Sequence, residues 1–264
     1  MNPPGSIVFL PGAGGGVPDL DVFRDGPGDS NQVDVIAYPG WRRYVTPGYS
    51  AEALIDELTA EIMRRIPDGP IRIVGFSIGG HFAYAAALRL QAAGREVAGV
   101  CAIDSMIIES SGPGEGWRQR ALQEALELLR GGRLGDLARF ARSRFWRALV
   151  RACGHRLAEI AHRHSRRLPL LLALDPILEE ELSMRLLLAT VAPWMASLDR
   201  NPSALDAPAI LLRTGHAAGD DEAWRRRCPT IGIFRIPGTH HNLLGDDNLG
   251  ALHQAFVAAT PGWR

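Results

Sequence analysis

Lysine is absent from this sequence: all 29 basic residues among its 264 are arginine. The bias reads as GC-rich coding rather than as function. An excess of charge of one sign is lacking too. The 29 basic residues balance 29 acidic ones, so no bulk attraction points to nucleic acid. Cysteine is scarce: Cys101, Cys153 and Cys228 are odd in number, widely spaced, and form no C-x-x-C. That pattern argues against a disulfide framework or a zinc cluster, so no metal is expected, and a reducing cytoplasm fits it. Long apolar runs are also missing. The most apolar stretch, Leu168 to Leu178, is broken by Pro169, Asp175 and Pro176 and is too short to span a bilayer. The opening MNPPGSIVFLPG has no charged leader before an apolar core and does not read as a secretion signal. No internal repeat is present. What remains is ordinary for a soluble globular protein, with 46% hydrophobic and 22% charged residues and enough chain for one large α/β domain or two small ones.

The informative stretch is IRIVGFSIGG, residues 71–80. A β-branched apolar run leads into Gly75-Phe76-Ser77-Ile78-Gly79, and an alanine-rich helical stretch follows at once. This is strand, sharp turn and helix, with Ser77 at the apex of G-x-S-x-G. So tight a turn brings neighbouring backbone close, and side-chain bulk at either glycine would clash. The hydroxyl is lifted clear of the sheet edge, near the unpaired N–H groups of a helix N-terminus. A plain glycine-rich turn capped by serine is the alternative, but the strand before and helix after favour a nucleophile.

Around this unit, strands alternate with helices. Ser6–Leu10 is a buried strand stopped by Pro11 and the run Gly12-Ala13-Gly14-Gly15-Gly16. As a dinucleotide loop the run fails, because G-x-G-x-x-G would need glycine where Val17 stands. A flexible turn and an oxyanion loop remain, the latter gaining force from Ser77. Gln32 to Tyr38 reads as the next strand, and Ser50 caps a helix to Arg65. Val97 to Ile103 is a buried strand ending in Asp104-Ser105. From about 112 to 201 no strand is evident, and amphipathic helices are expected near 118–130, 136–152, 155–167 and 178–198. Ala209–Arg213 and Ile231–Ile236 are the last strands, with a short helix between them (221–227) and a closing helix at 248–259. The alternation predicts an α/β fold, a mostly parallel sheet with helices on both faces. Residues 1–111 and 202–264 would form its core. The helical block 112–201, inserted at the carboxyl edge where such sheets bind ligands, would be a lid by position.

A serine hydroxyl is a poor nucleophile near neutral pH. It needs a base, and the base needs an orienting carboxylate. In such a fold the order along the chain is serine, acid, histidine. Of eight histidines, only His240 and His241 stand between the last strand and the last helix, and Gly238-x-His240 favours His240. His216 fits less well, and His162 and His164, two residues apart on a helix, point to different faces. Two placements exist for the acid: Asp104 at the end of the strand after the nucleophile, and Asp220 or Asp221 after strand 209–213. A strand end facing the active edge favours Asp104.

FLPGAGGG, GFSIGGHFAYAAA, CAIDS and IPGTHH, in this order around a helical insertion, resemble the thioesterase family. These are the α/β-hydrolase domains that release chains from nonribosomal peptide and polyketide synthases, and their stand-alone relatives. The resemblance spans nearly the whole chain. It implies Ser77 as nucleophile, His240 as base, Asp104 as orienter, and the backbone N–H groups of Ile78 and Ala13 as the oxyanion hole. It further implies no cofactor beyond a phosphopantetheine arm on a partner carrier protein, release by hydrolysis or cyclisation, and a cytoplasmic monomer. A free-standing enzyme and an excised synthase domain are both compatible with it. The rival readings are a general carboxylesterase or lipase-like hydrolase without a carrier, and a non-catalytic binding scaffold.

Between Arg118 and Arg167 stand 13 arginines against four acids. Helices solvated by arginine are one reading; a face that attracts an acidic acyl or peptidyl carrier protein is the other. Trp117, Phe140, Phe145, Trp146 and Trp194 are expected to pack within the insertion rather than to touch substrate.

Overall fold

A computed structural model describes residues 6–24, 32–106, 126, 129–132, 134–164, 176–200, 202–215, 218–240, 242–261 and 263. Six strands form one sheet: β1 (Ser6–Leu10), β2 (Val33–Val35), β3 (Ile71–Phe76), β4 (Val97–Ile103), β5 (Ala209–Arg213) and β6 (Gly232–Arg235). Among the described residues the helices are α1 (Trp41–Tyr44), α2 (Ala51–Arg65), α3 (Ile78–Ala92), α4 (Leu134–His164), α5 (Pro176–Arg200), α6 (Ala218–Arg227) and α7 (Asp246–Ala259). A 3-10 turn spans Leu20–Phe23. No helix among the described residues is long and apolar enough to cross a membrane.

The strand order is β2-β1-β3-β4-β5-β6, and every pairing is parallel. Parallel strands are buried on both faces, which is why they read as continuous β-branched runs. On one face Ile7, Phe9, Val74, Cys101, Ile103, Ile210 and Leu212 pack with Val22 and Phe23 and with Leu252 and Phe256 of α7. On the other, α3 lies on β3 and β4, and α2 lies on α3. Ser50 caps α2 as expected, its hydroxyl accepting from the Ala53 N–H at 3.2 Å. Gly94, at φ +74°, takes the left-handed position just past α3.

The order places β3 on the far side of β1 from β2. The chain therefore leaves β1 in one direction and later returns past it in the other. The strand order thus reverses at the carboxyl ends of β1 and β3, where open α/β sheets place ligands. The register then decides what meets there. Leu10 is level with Gly75, and Ile103 is level with both Phe76 and Leu212. The residues just past these ends, Gly12, Ser77, Asp104 and Thr214, consequently gather along one edge.

The described residues fall into two compact units, one drawn from 1–38, 50–107 and 193–264 and the other from 39–49 and 108–192. The first holds the whole sheet. In the second, the short segment around α1 is tied to α5: the Trp41 N–H donates to Ser183 Oγ at 2.9 Å, and Arg42 pairs with Glu179 at 3.0 Å. Glu181 of the same helix accepts from Arg147 of α4.

Several expectations need correction. The helices expected at 136–152 and 155–167 are one helix, α4, that runs through Gly154; an interior glycine costs only about 1 kcal/mol relative to alanine, and Arg151, Ala152, Arg156, Leu157 and Ala158 around it are good helix formers. The helix expected near 178–198 is α5, which runs through Pro193 as that span implied and begins at Pro176. The strand expected over Gln32–Tyr38 shortens to Val33–Val35, as suits the sheet's edge. Trp194 stacks on Phe82 of α3, with centroids 5.7 Å apart, rather than packing within the insertion, and Phe145 is 58% exposed. The helix expected near 118–130 lies almost entirely outside the described residues, as does Trp117.

Candidate active site

Ser77 sits between β3 and α3 with φ +55° and ψ −122°, a conformation that L side chains rarely adopt. The surrounding glycines explain how the turn fits. A Cβ on Gly75 would lie 2.2 Å from the Gly79 carbonyl oxygen, and one on Gly79 would lie 2.1 Å from the Leu10 carbonyl oxygen. A Cβ on Gly80 would lie 2.0 Å from Ser105 Oγ. At Gly75 and Gly79 backbone passes so closely that only glycine is accommodated, and at Gly80 the Ser105 side chain fills the space. The Ser77 N–H donates to the Ile103 carbonyl at 2.8 Å, fixing the serine to the end of β4.

His240 follows β6 in a loop built by its own polar residues. Asn242 Oδ1 accepts from the Thr239 N–H at 2.7 Å and from the Thr239 hydroxyl at 3.0 Å. Asn248 in turn donates to the Asn242 carbonyl at 3.0 Å, and Gly238, at φ +105°, makes the bend. His240 Nε2 thereby lies 3.1 Å from Ser77 Oγ, and its Nδ1 lies 2.8 Å from Asp104 Oδ2. Its ring stacks on Phe76, with centroids 5.2 Å apart and planes at 18°.

Asp104 is fully buried at the end of β4. Its second carboxylate oxygen accepts from the Thr214 N–H at 2.9 Å and from the Thr214 hydroxyl at 3.0 Å. Burial alone would raise this carboxyl, but the bonds from His240 and from Thr214 outweigh it and hold Asp104 below the usual carboxylate range. An ionised carboxylate only accepts, so His240 Nδ1 carries the ring proton. Nε2 is then left with a lone pair, to which the Ser77 hydroxyl can donate.

The other acid placement resolves differently. Asp221 pairs with Arg213, whose side chain is buried, and with Arg235 at 2.6 Å. The side chain of Asp220 lies outside the described residues, as do His216 and His241. The side chains of His162 and His164 on α4 are likewise outside them. No group of three or more potential metal ligands occurs among the described residues.

The two backbone N–H groups expected to form an oxyanion hole belong to Ile78 and Ala13. Ile78 opens α3, and a helix's first N–H groups have no intrahelical acceptor. Ala13 stands inside a turn closed by the Gly15 N–H on the Gly12 carbonyl at 2.9 Å. A Cβ on Gly12 would lie 3.5 Å from the Ser77 Cβ, so this loop passes close to the serine. Tyr38 steadies it, donating to the Pro11 carbonyl at 2.5 Å.

The family description "Thioesterase domain" matches residues 6–259. The chain belongs to the thioesterase domain family. It is thus a hydrolase of the thioester-cleaving kind, built on the α/β-hydrolase fold. Its fold is similar to that of the NocB thioesterase domain, solved as a covalent complex with a fluorophosphonate nocardicin G analogue (20% identity, TM-score 0.59, covering 98% of this chain and 95% of that one). It is also similar to the Vlm2 thioesterase domain carrying genetically encoded 2,3-diaminopropionic acid bound with a dodecadepsipeptide (18%, 0.58, 97% and 93%). A third likeness is to a four-domain nonribosomal peptide synthetase, holo-AB3403 bound to AMP and glycine. There the identity is 20% and the TM-score 0.57, over 97% of this chain and 19% of that one. No curated protein sequence matches this thioesterase.

Three residues that the structure places at this candidate site carry no sequence motif. Thr214 is one residue past β5, and a hydroxyl at a strand's carboxyl end is the only sign of its part. Phe76 occupies the variable position before the serine. Asn242 follows Thr239 by three residues, the spacing of a side-chain-closed turn, and that pattern could have been read beside Gly238.

Proposed function

We propose that this thioesterase works through a serine acyl-enzyme formed on Ser77. His240 takes the hydroxyl proton at Nε2 as the oxygen attacks the thioester carbonyl, and Asp104 holds the resulting imidazolium. The oxyanion is received by the N–H groups of Ile78 and Ala13, each donor contributing about 3–4 kcal/mol in comparable sites. Collapse of the tetrahedral intermediate breaks the carbon–sulfur bond, and His240 returns the proton to the departing thiolate. Water or a nucleophile on the acyl chain itself then repeats the sequence on the ester, giving hydrolysis or cyclisation and restoring Ser77. The observation that carries this reading is the unbroken relay from Ser77 through His240 to Asp104, at 3.1 and 2.8 Å.

The substrate is an acyl or peptidyl thioester on the phosphopantetheine arm of a carrier protein. Support comes from the likeness to thioesterase domains of peptide-synthetase systems and from the arginines of α4. Arg142, Arg156 and Arg163 are exposed and recur at multiples of seven, sharing one face that would attract an acidic carrier.

The deciding experiment treats the protein with a fluorophosphonate and separately with carrier-bound and small-molecule thioesters. Wild type is expected to be labelled on Ser77 and to turn over the carrier-bound substrate with the higher kcat/KM. Ser77→Ala is expected to lose labelling and about 10^6 in kcat while remaining folded. Unchanged thioester cleavage by a folded Ser77→Ala protein would defeat the proposal. A free ester processed better than the carrier-bound thioester would transfer the assignment to a general esterase.

A further inference from the structure

Behind the nucleophile lies a polar group that the acylation chemistry does not use. His81, four residues after Ser77 on α3, is fully buried, and so is Arg227 at the end of α6. Arg227 Nη1 lies 2.9 Å from His81 Nδ1. A guanidinium only donates, so Nδ1 accepts and the ring proton belongs on Nε2. From there it is donated to the Met106 carbonyl at 3.1 Å. Burial, followed by the neighbouring guanidinium, pushes His81 down to about 3, which keeps the ring in this neutral tautomer at physiological pH. Trp224, one turn before Arg227, stacks on the His81 ring with centroids 5.2 Å apart and planes at 20°. Its Nε1–H donates to the Ser105 carbonyl at 2.8 Å. The Arg227 guanidinium covers the Trp224 ring at 5.3 Å and the Tyr84 ring at 5.9 Å.

The carbonyls held in this way belong to the two residues directly after Asp104. That aspartate has φ +47°, a left-handed conformation that a non-glycine residue keeps only when its surroundings over-determine it. From one side, the Asp104 N–H donates to the Leu212 carbonyl at 2.7 Å. On the other, the Met106 N–H closes onto the Asp104 carbonyl at 3.1 Å. What would keep the following two peptides from rotating is the pair of side-chain donors from α3 and α6.

We propose that His81 and Trp224 are positioning residues: by holding the carbonyls of Met106 and Ser105 they fix the strained turn that aims Asp104 at His240. The inference rests on Asp104 being the orienting carboxylate. The nucleophile helix and the helix after β5 thus both brace the acid, and errors in its aim pass straight to the base.

The test is a double-mutant cycle. His81→Phe keeps the ring stack and removes both nitrogens, while Trp224→Phe removes only the indole donor. Each is expected to lower kcat for thioester turnover about tenfold or more, with KM unchanged, since a misplacement of about 1 Å can cost a hundredfold. His81→Gln, which restores an N–H near the Nε2 position, is expected to recover part of the loss. In an Asp104→Asn background the same substitutions are expected to cost less than about twofold, because the carboxylate they aim is already gone. Equal losses in both backgrounds, or wild-type kcat in folded Trp224→Phe, would overturn the inference. Should His81→Phe fail to fold, Trp224→Phe and His81→Gln complete the cycle. The low-field proton resonance of His240 Nδ1 gives an answer without turnover: it is expected to shift or broaden in Trp224→Phe, and an unmoved signal counts against positioning. Asp104→Asn with full activity would instead remove the assignment of the acid itself.

Discussion

Ser77 and Asp104 are the non-glycine residues with positive φ among the described residues, and both meet the same imidazole. Strain of this kind costs about 1–3 kcal/mol per residue and collects where geometry serves chemistry. Glycine visits positive φ freely, at an entropic cost of about 0.5–1 kcal/mol. Ser77→Gly and Ser77→Ala both lose the nucleophile, yet only the glycine relieves the backbone. Ser77→Gly is therefore expected to melt above Ser77→Ala, by roughly 1 kcal/mol in stability; an alanine variant as stable as the glycine one would mean that no strain is stored there. Asp104 carries a second expectation, in pH. Its carboxyl is held below its unfolded value of about 3.9, so its ionised form adds stability that is complete above that value. The contribution drains away as pH falls through the lower folded value. The stability gap between wild type and Asp104→Asn is thus expected to stay level from neutral pH to about 5 and to close below about 4. Asparagine would also offer an N–H to His240 Nδ1, reversing the tautomer, and kcat is expected to fall about 10^4-fold. A gap that widens on acidification would contradict the direction assigned to Asp104.

At the scale of elements, the site is a meeting of strand ends, and glycines let them meet. Gly79→Ala would push a Cβ to 2.1 Å from the Leu10 carbonyl oxygen and 2.6 Å from that of Pro11, both backbone atoms that cannot swing away. Gly14, in the loop after β1, has nothing within 4 Å of its Cβ position and no positive φ. Denaturant titration is expected to find Gly79→Ala destabilised by more than about 3 kcal/mol and Gly14→Ala within about 0.5 kcal/mol of wild type. Comparable values for the two would refute the close-approach account. The same elements show what a reader of the sequence can and cannot see. Strand, turn and helix around Ser77 were legible because local residues make them: β-branched runs, flanking glycines and an alanine-rich follow-on. Asp104 and His240 could be singled out because strand ends are local features. Thr214 could not, because its bond to Asp104 exists only through the β4–β5 register, a relation between residues 110 positions apart. The contacts of His81 and Trp224 with the carbonyls of Met106 and Ser105 were hidden for the same reason. Conversely, Gly154 and Pro193 are breakers by local rule, yet the helices run through them.

Across the whole molecule, zero net charge conceals an uneven distribution. The segment 118–167 carries 13 arginines and four acids, so the rest of the chain is correspondingly acidic. Some of these arginines already have anionic neighbours: Arg139 bonds Asp136 at 3.1 Å, and Arg147 bonds Glu181. An exposed pair such as Arg139 with Asp136 contributes about 0–1 kcal/mol, so fold stability gives little reason to gather so much positive charge. Attraction over distance is a better one. Like-signed charge on one face speeds encounter with an opposite partner, and the effect weakens as salt screens it beyond about 8–10 Å. Converting Arg142, Arg156 and Arg163 to glutamate reverses that face without touching Ser77, Asp104 or His240. Stability and fluorophosphonate labelling are expected to stay as in wild type. KM for a carrier-bound thioester is expected to rise about tenfold at low ionic strength, and the difference to shrink toward none as salt is added. A small thioester mimic, which carries no acidic surface, is expected to keep its KM at every salt concentration. If both substrates lose equally, the arginines act on the enzyme rather than on the approach of its partner. If neither changes, they are there to keep a long helix in water.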